Sequence, residues 1–351
     1  MKIIFENGKV FEGHQFGSEK EAVLEVVFNT SVVGYQEILS DPSYYSQAVC
    51  MTYPLIGNYG VTDSDYESCK MFAGALMVGQ ICEHPSHYGV TQTLQSAMEF
   101  YGVPGISGLD TRMVTRMLRN EGSMRALITN EPVTVGKALE KIINTPVVND
   151  HVSNVSCKKI WRSKSAKSKS LVALVDCGVK YGILRALNNF GCDVVIFPYD
   201  TSSEEILSFS PSGVVFSNGP GDPKDCVKTI ETIKNIQGKV PILGICLGHQ
   251  LIALANGANT YKMKFGHRGG NHPVKNLKNG KIEITSQNHS YSVDSLTDSN
   301  IKITHINLLD GSPEGLEIVK DRVFSVQYHP ENSPGPWDSL YIFEEFISVI
   351  S

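Results

Sequence analysis

From Leu171 onward the chain repeats one pattern: a short run of branched apolar residues that stops at Gly, Asp or Asn, followed by a stretch of helical period. The runs are "LVALVDCG", "DVVIFPYD", "GVVFSNGP" and "VPILGICLG", and between them lie "KYGILRALNNFG" and "DCVKTIETIKNIQG". In the last of these, apolar residues fall at 227, 230, 233 and 236, the spacing of one helix face. Strands separated by helices read as crossover-linked βαβ units, so the pattern predicts an open, mainly parallel sheet with helices on both faces. From about residue 270 the long helices drop out. "KIEITSQNHSYSV", "IKITHINLLDG", "GLEIVK" and "VFSVQYHPE" read as antiparallel additions to the sheet, and "WDSLYIFEEFISVI" as a terminal helix against one face. The expected fold class is α/β.

The first 150 residues follow a different rule. Short strands such as "KIIFENG", "EAVLEVVFNT" and "QAVCMTYP" alternate with turns, and helices are expected at "TQTLQSAMEFYG" and "DTRMVTRMLRNEG", the latter with Asp110 or Thr111 as its cap and Gly122 as its stop. This is a mixed α/β domain. Between the halves, "KKIWRSKSAKSKS" is poor in apolar residues and rich in Ser and Lys, a composition that cannot bury enough surface to offset the entropy of ordering. A chain of 351 residues is long for a single core. The expected division is therefore residues 1–150, a linker at 151–170, and a second domain at 171–351.

Bulk composition excludes several classes. The formal net charge of −5 calls for neither nucleic acid nor an anionic membrane surface. The longest apolar runs fall short of a membrane span, and "MKIIFENGKV" lacks the apolar stretch of a secretory signal. Eight cysteines are scattered without a C-x-x-C pair, which suits a reducing cytoplasm. Without a secretory signal, the sequon-like triplets at Asn29, Asn154 and Asn288 carry no functional reading.

One of those cysteines stands apart. In Gly244-Ile245-Cys246-Leu247-Gly248 the spacing is that of a nucleophile elbow with cysteine at its centre. A strand turning sharply into a helix strains the middle residue and leaves no room for side chains on its flanks, so glycines are needed there. The sulfur is then presented at the carboxyl end of a parallel strand and at a helix amino terminus, which favours thiolate. The alternative is a small buried hydrophobe, the usual fate of a free cysteine.

A thiolate needs a base and oxyanion donors. "QYHPE" puts His329 just past the last strand with Glu331 two residues on, an arrangement suited to a general base oriented by an acid, or to a plain surface turn. "SNGPGD", residues 217 to 222, can aim backbone N–H groups at developing negative charge, or be an ordinary turn. The three occur together, in order, at three strand ends. Of the remaining histidines, His249 is expected in a core hydrogen bond, and His289 and His305 in structural roles within strands. His267 and His272 flank an "RGG" loop and are expected to be exposed. None has metal-ligand spacing, and no metal is expected in this chain.

"SNGPGDP", "GICLGHQ" and "QYHPE" resemble the signature segments of triad-type (class I) glutamine amidotransferases. The resemblance implies Cys246 as the nucleophile on glutamine's side-chain amide, His329 as base and then acid, and Glu331 as its orienting partner. It further implies an oxyanion hole from Leu247 N–H and the Gly219 to Gly221 turn, with Gln250 contacting the substrate. "SQNHSYSV" resembles the segment that holds glutamine's backbone groups, which implicates Asn288, Ser290 and Tyr291. Many relatives carry Gly where Ser290 stands, so its contact is expected from the main chain.

The first half narrows the resemblance. "EVVFNTSVVGYQEILSDPSYYSQAVCMTYPLIGNYG" and "GVPGISGLDTRMVTRMLRNEGSMRALI" look like the amino-terminal domain of the small subunits of glutamine-dependent carbamoyl-phosphate synthetases. That family implies hydrolysis of L-glutamine through a γ-glutamyl thioester, delivery of ammonia to a large synthetase subunit, and a contribution of Ser43 to the glutamine site. Read locally, Ser43 is a turn or cap serine after Pro42. Ser86 to Gly89 departs from the family's pattern. ATP and magnesium are expected on the partner, because each of the four Gly-Lys dipeptides lacks the following Ser or Thr of a P-loop. The competing readings are an idle docking or regulatory homologue and a thiol hydrolase of another small amide.

Overall fold

The computed structural model describes residues 1–294, 296 and 300–350. They form two compact units, Met1–Val148 and Asn149–Ser351. In the first, an eight-stranded mixed sheet runs in the order Val10–Glu12, Lys2–Phe5, Met124–Thr129, Ala22–Asn29, Gln47–Met51, Ala75–Met77, Pro104–Ser107, His14–Gly17. Ala22–Asn29, Gln47–Met51, Ala75–Met77 and Pro104–Ser107 pair in parallel, and the others antiparallel. Asp110 is the cap of helix Thr111–Glu121: its carboxylate accepts the Met113 N–H at 2.8 Å, and the helix stops at Gly122. Val114, Met117 and Leu118 form the buried face, packed under Ile3, Val26 and Ile128.

The second unit is built on a ten-stranded sheet. Cys192–Pro198, Ser170–Asp176, Gly213–Phe216, Ile242–Ile245 and Val323–Val326 lie side by side and parallel. Pro313–Ile318, Lys302–Asn307, Thr260–Asn276 and Ile282–Val293 extend the sheet antiparallel from there. Because side chains alternate along a strand, the parallel core serves two layers. Ala173 and Val175 pack with Ile233, Ile236, Leu251 and Ile252 of helices Val227–Ile236 and Leu247–Ala255. Val172 and Leu174 face Ile183, Leu187, Phe343 and Phe346 of helices Tyr181–Asn189 and Tyr341–Ile350. Of the helix face expected from 227, 230, 233 and 236, Ile233 and Ile236 are buried while Val227 is exposed.

Two expectations are corrected. Residues 151–170 are no bare linker: they carry a helix, His151–Val155, and a strand, Trp161–Ser163, that pairs antiparallel with Cys192–Pro198 at the sheet edge. An edge strand satisfies its backbone on a neighbour without burying side chains, so Trp161 and Arg162 stay exposed and the composition looks like a linker's. His267 and His272, expected on an exposed loop, lie on the 17-residue strand Thr260–Asn276, and His267 is 5% exposed. The "RGG" glycines sit at a register shift within that strand between Gly269 and His272, so they interrupt the pairing without ending it. Among the described residues no helix is long and apolar enough to cross a membrane.

Candidate active site

Strand Ile242–Ile245 ends one residue before Cys246, and helix Leu247–Ala255 begins one residue after it. Cys246 holds φ 53 and ψ −102, a region an L residue occupies only when its surroundings impose it. Its N–H is fixed by Val326 O at 2.9 Å. The flanking glycines are obligatory: a Cβ on Gly248 would sit 2.1 Å from Phe216 O, and one on Gly244 2.5 Å from Ile252 Cδ1. Cys246 is 2% exposed; its sulfur donates to Asn288 O at 3.6 Å and accepts from Gln327 Nε2 at 3.7 Å.

His329 follows strand Val323–Val326, and its N–H donates to Ser286 O at 2.9 Å, which fastens it to the strand bearing Asn288. Its Nδ1 lies 2.7 Å from Glu331 Oε1, so the ring presents Nδ1–H to the carboxylate and leaves Nε2 for chemistry. Burial is the largest single influence on His329 and pushes it down, and Lys180 adds to that; the Glu331 carboxylate and Cys246 together outweigh both, and the imidazole ends raised to about 10. Burial pushes Glu331 up, but Lys180 and His329 together hold it well below the usual carboxylate range.

Lys180 carries no signature in the sequence, yet it is 2% exposed and its Nζ sits 2.7 Å from Glu331 Oε1. It is placed by "SNGPGD": Asn218 Oδ1 accepts the Lys180 N–H at 3.1 Å. The same loop is tied to the helix start, since Gly248 N–H donates to Ser217 O at 3.1 Å. Gly219 packs onto Leu247, where a Cβ would come within 2.8 Å of Leu247 Cδ2 and 2.1 Å of Cys177 O. Gly221, at φ 90, borders a cavity of about 150 Å³ that His151, Tyr199 and Asp225 also line.

Of the residues expected to hold substrate, Asn288, Ser290 and Tyr291 lie together on strand Ile282–Val293. Gln250, in the helix, donates its side-chain amide to Tyr291 O at 2.8 Å and to Gln327 Oε1 at 2.9 Å. The Ser290 hydroxyl accepts from Arg268 Nη2, a buried guanidinium that the sequence did not single out. Ser43 belongs to the first unit, where it is buried in the turn Pro42–Tyr44 and its N–H donates to Asp41 Oδ1 at 2.8 Å. His249 makes the core hydrogen bond expected of it, Nδ1 to Ser325 Oγ at 2.9 Å.

Spacing alone gave no metal-binding set, but folding brings ligand atoms of His267, His289 and Glu314 within 4.8 Å of one another. The three are already engaged: His267 Nε2 with Asp310 at 3.1 Å, Glu314 with Gln287 at 3.0 Å and Asn307 at 2.8 Å, and His289 Nε2 with Gln287 Oε1 at 2.9 Å.

Known proteins agree with this architecture. Residues 173–349 match the glutamine amidotransferase class-I family, the class that the fold and this corner define. Residues 3–128 match the carbamoyl-phosphate synthase small chain, CPSase domain. The pyrimidine-specific carbamoyl phosphate synthase small chain of Bacillus subtilis (strain 168) is 48% identical over 99% of this chain and 95% of its own. The carbamoyl phosphate synthase small chain of Fusobacterium nucleatum is 49% identical over 99% and 98%, and that of Bacillus cereus (strain ATCC 10987) is 50% identical over 99% and 95%. The chain belongs to the carbamoyl-phosphate synthase small-chain family.

Proposed function

We propose that the chain is the glutaminase subunit of a carbamoyl-phosphate synthase and that Cys246, His329 and Glu331 carry the hydrolysis. The observation that carries this reading is the sulfur at a strained strand-to-helix corner, in a unit that also holds a buried His329–Glu331 pair at 2.7 Å. The Cys246 thiolate attacks the side-chain carbonyl carbon of L-glutamine. The His329 imidazolium gives its proton to the departing nitrogen, leaving ammonia and a γ-glutamyl thioester. Water, deprotonated by His329, then displaces the thiolate to give glutamate. Leu247 N–H and the Gly219 to Gly221 turn stabilise the oxyanion of each tetrahedral intermediate. Gln250, Asn288, Ser290 and Tyr291 hold the glutamine.

Ammonia passes to a large synthetase subunit, where ATP and magnesium act; no P-loop sequence in this chain provides for them. The carbamoyl phosphate feeds arginine or pyrimidine synthesis; the Bacillus subtilis relative is named for the latter. The deciding experiment follows glutamate release from glutamine by the wild-type chain and Cys246→Ser, each with and without the large subunit. Turnover that rises with the partner and disappears in the variant supports the reading. No turnover in a confirmed complex makes the chain a docking subunit instead.

A further inference from the structure

Two glutamines close the motifs around the nucleophile: Gln250 ends "GICLGHQ" and Gln327 opens "QYHPE". Their side chains meet, and the orientation of each follows from a group that can act in only one way. Tyr291 O is a backbone carbonyl and can only accept, so the atom of Gln250 that reaches it at 2.8 Å is the amide nitrogen. That nitrogen's second hydrogen goes to Gln327 at 2.9 Å and so meets the carbonyl oxygen of Gln327. Gln327 is thereby left with its N–H end toward Cys246 Sγ, 3.7 Å away. Gln250, Gln327 and Cys246 are 3%, 0% and 2% exposed, which shields this contact from bulk water.

The sulfur has a second neighbour of opposite character. Asn288 O, at 3.6 Å, accepts from the thiol and repels the thiolate. The His329 imidazole, which Cys246 helps to keep protonated, is one compensating partner for a buried anion beside that carbonyl dipole; in a low-dielectric site an oriented N–H adds to it and is worth more than in water.

We propose that Gln327 is a positioning residue for the nucleophile: the relay Tyr291 to Gln250 to Gln327 aims an amide N–H at the Cys246 sulfur and favours its ionised form. This deepens the glutaminase reading and rests on Cys246 as nucleophile, which Cys246→Ser tests by turnover. Alkylation needs no turnover, so failure of one can be told from failure of the other.

The test is iodoacetamide alkylation of Cys246 in the full chain, followed peptide by peptide by mass spectrometry from pH 5 to pH 10, for wild type, Gln327→Leu and Gln327→Glu. Gln327→Leu removes the donor. Its alkylation at pH 7 falls about tenfold, its profile moves about one pH unit alkaline, and its rate rejoins wild type at high pH. Gln327→Glu keeps the acceptor for Gln250 and turns a carboxylate on the sulfur; its profile moves further in the same direction. If Gln327→Leu does not fold, Gln327→Glu carries the test. Profiles that overlay wild type, or a rate lowered by one factor at every pH, overturn the proposal, because a purely structural role changes access and not ionisation.

Discussion

Lys180 Nζ lies 2.7 Å from Glu331 Oε1, the same oxygen that faces His329 Nδ1 at 2.7 Å, with the Lys180 and Glu331 side chains only 3% and 0% exposed. A buried carboxylate shared by two cationic partners is ionised and immobile, so the imidazole it orients has one ring position. Replacing Lys180 by Met strips the carboxylate of its strongest partner while leaving it buried. The expected loss is about 3–5 kcal/mol in unfolding free energy, the scale for breaking one side of a buried ion pair. Urea unfolding of wild type and Lys180→Met reads this directly, and a loss below about 1 kcal/mol, the value of a surface pair, contradicts it.

His267 gives a pH-dependent contribution away from the proposed nucleophile. Burial pushes it down from 6.5, but Asp310 and Glu314 outweigh that and hold it at about 9. A folded-state value above the unfolded one means that the contribution is fully present below pH 6.5 and is lost as pH rises through 9. Thermal melts between pH 6 and pH 10 are expected to fall more steeply for wild type than for His267→Gln. Equal slopes would remove this group from the alkaline transition.

Gly248 has no room for a methyl group. The Cβ of Gly248→Ala would stand 2.1 Å from Phe216 O, a backbone atom that cannot swing aside. The variant is expected to lose at least about 2 kcal/mol of stability, the range for overpacking a filled site. Differential scanning of the two proteins tests it, and an unchanged midpoint would mean that the elbow is looser than its geometry.

Ser290 spends its hydroxyl on Arg268. If the contact to glutamine is made by the main chain, Ser290→Gly leaves it in place and costs only the side-chain hydrogen bond. The Michaelis constant for glutamine should stay within about fivefold of wild type, the scale of ~1 kcal/mol for one net hydrogen bond. A rise well beyond that would assign the hydroxyl itself to the substrate.

The parallel core, the elbow and the alternation of strand and helix were legible in the chain because each is a local rule. Branched runs of a few residues make buried strands, a 3.6-residue period makes a covering helix, and glycines on both sides of a cysteine mark a corner where backbone meets backbone. The same locality explains the misreadings. Trp161–Ser163 looks like linker because an edge strand draws its hydrogen bonds from Cys192–Pro198 and not from its own composition. His267 looks exposed because nothing nearby in sequence reveals that Asp310 and Glu314 arrive beside it from beyond the neighbouring strand.

What the tertiary structure alone decided is which polar groups share a buried space. Lys180 and Glu331 are 151 positions apart, and Gln250 and Gln327 are 77 apart. Neither pair has a spacing rule, because their separation is set by which strands the sheet places side by side. The chain encodes its fold through local periodicity and steric need. The burial of Cys246 beside oriented dipoles, and the pairing of His329 with Glu331 and Lys180, come from groups that only folding assembles, out of water, where their interactions are strong.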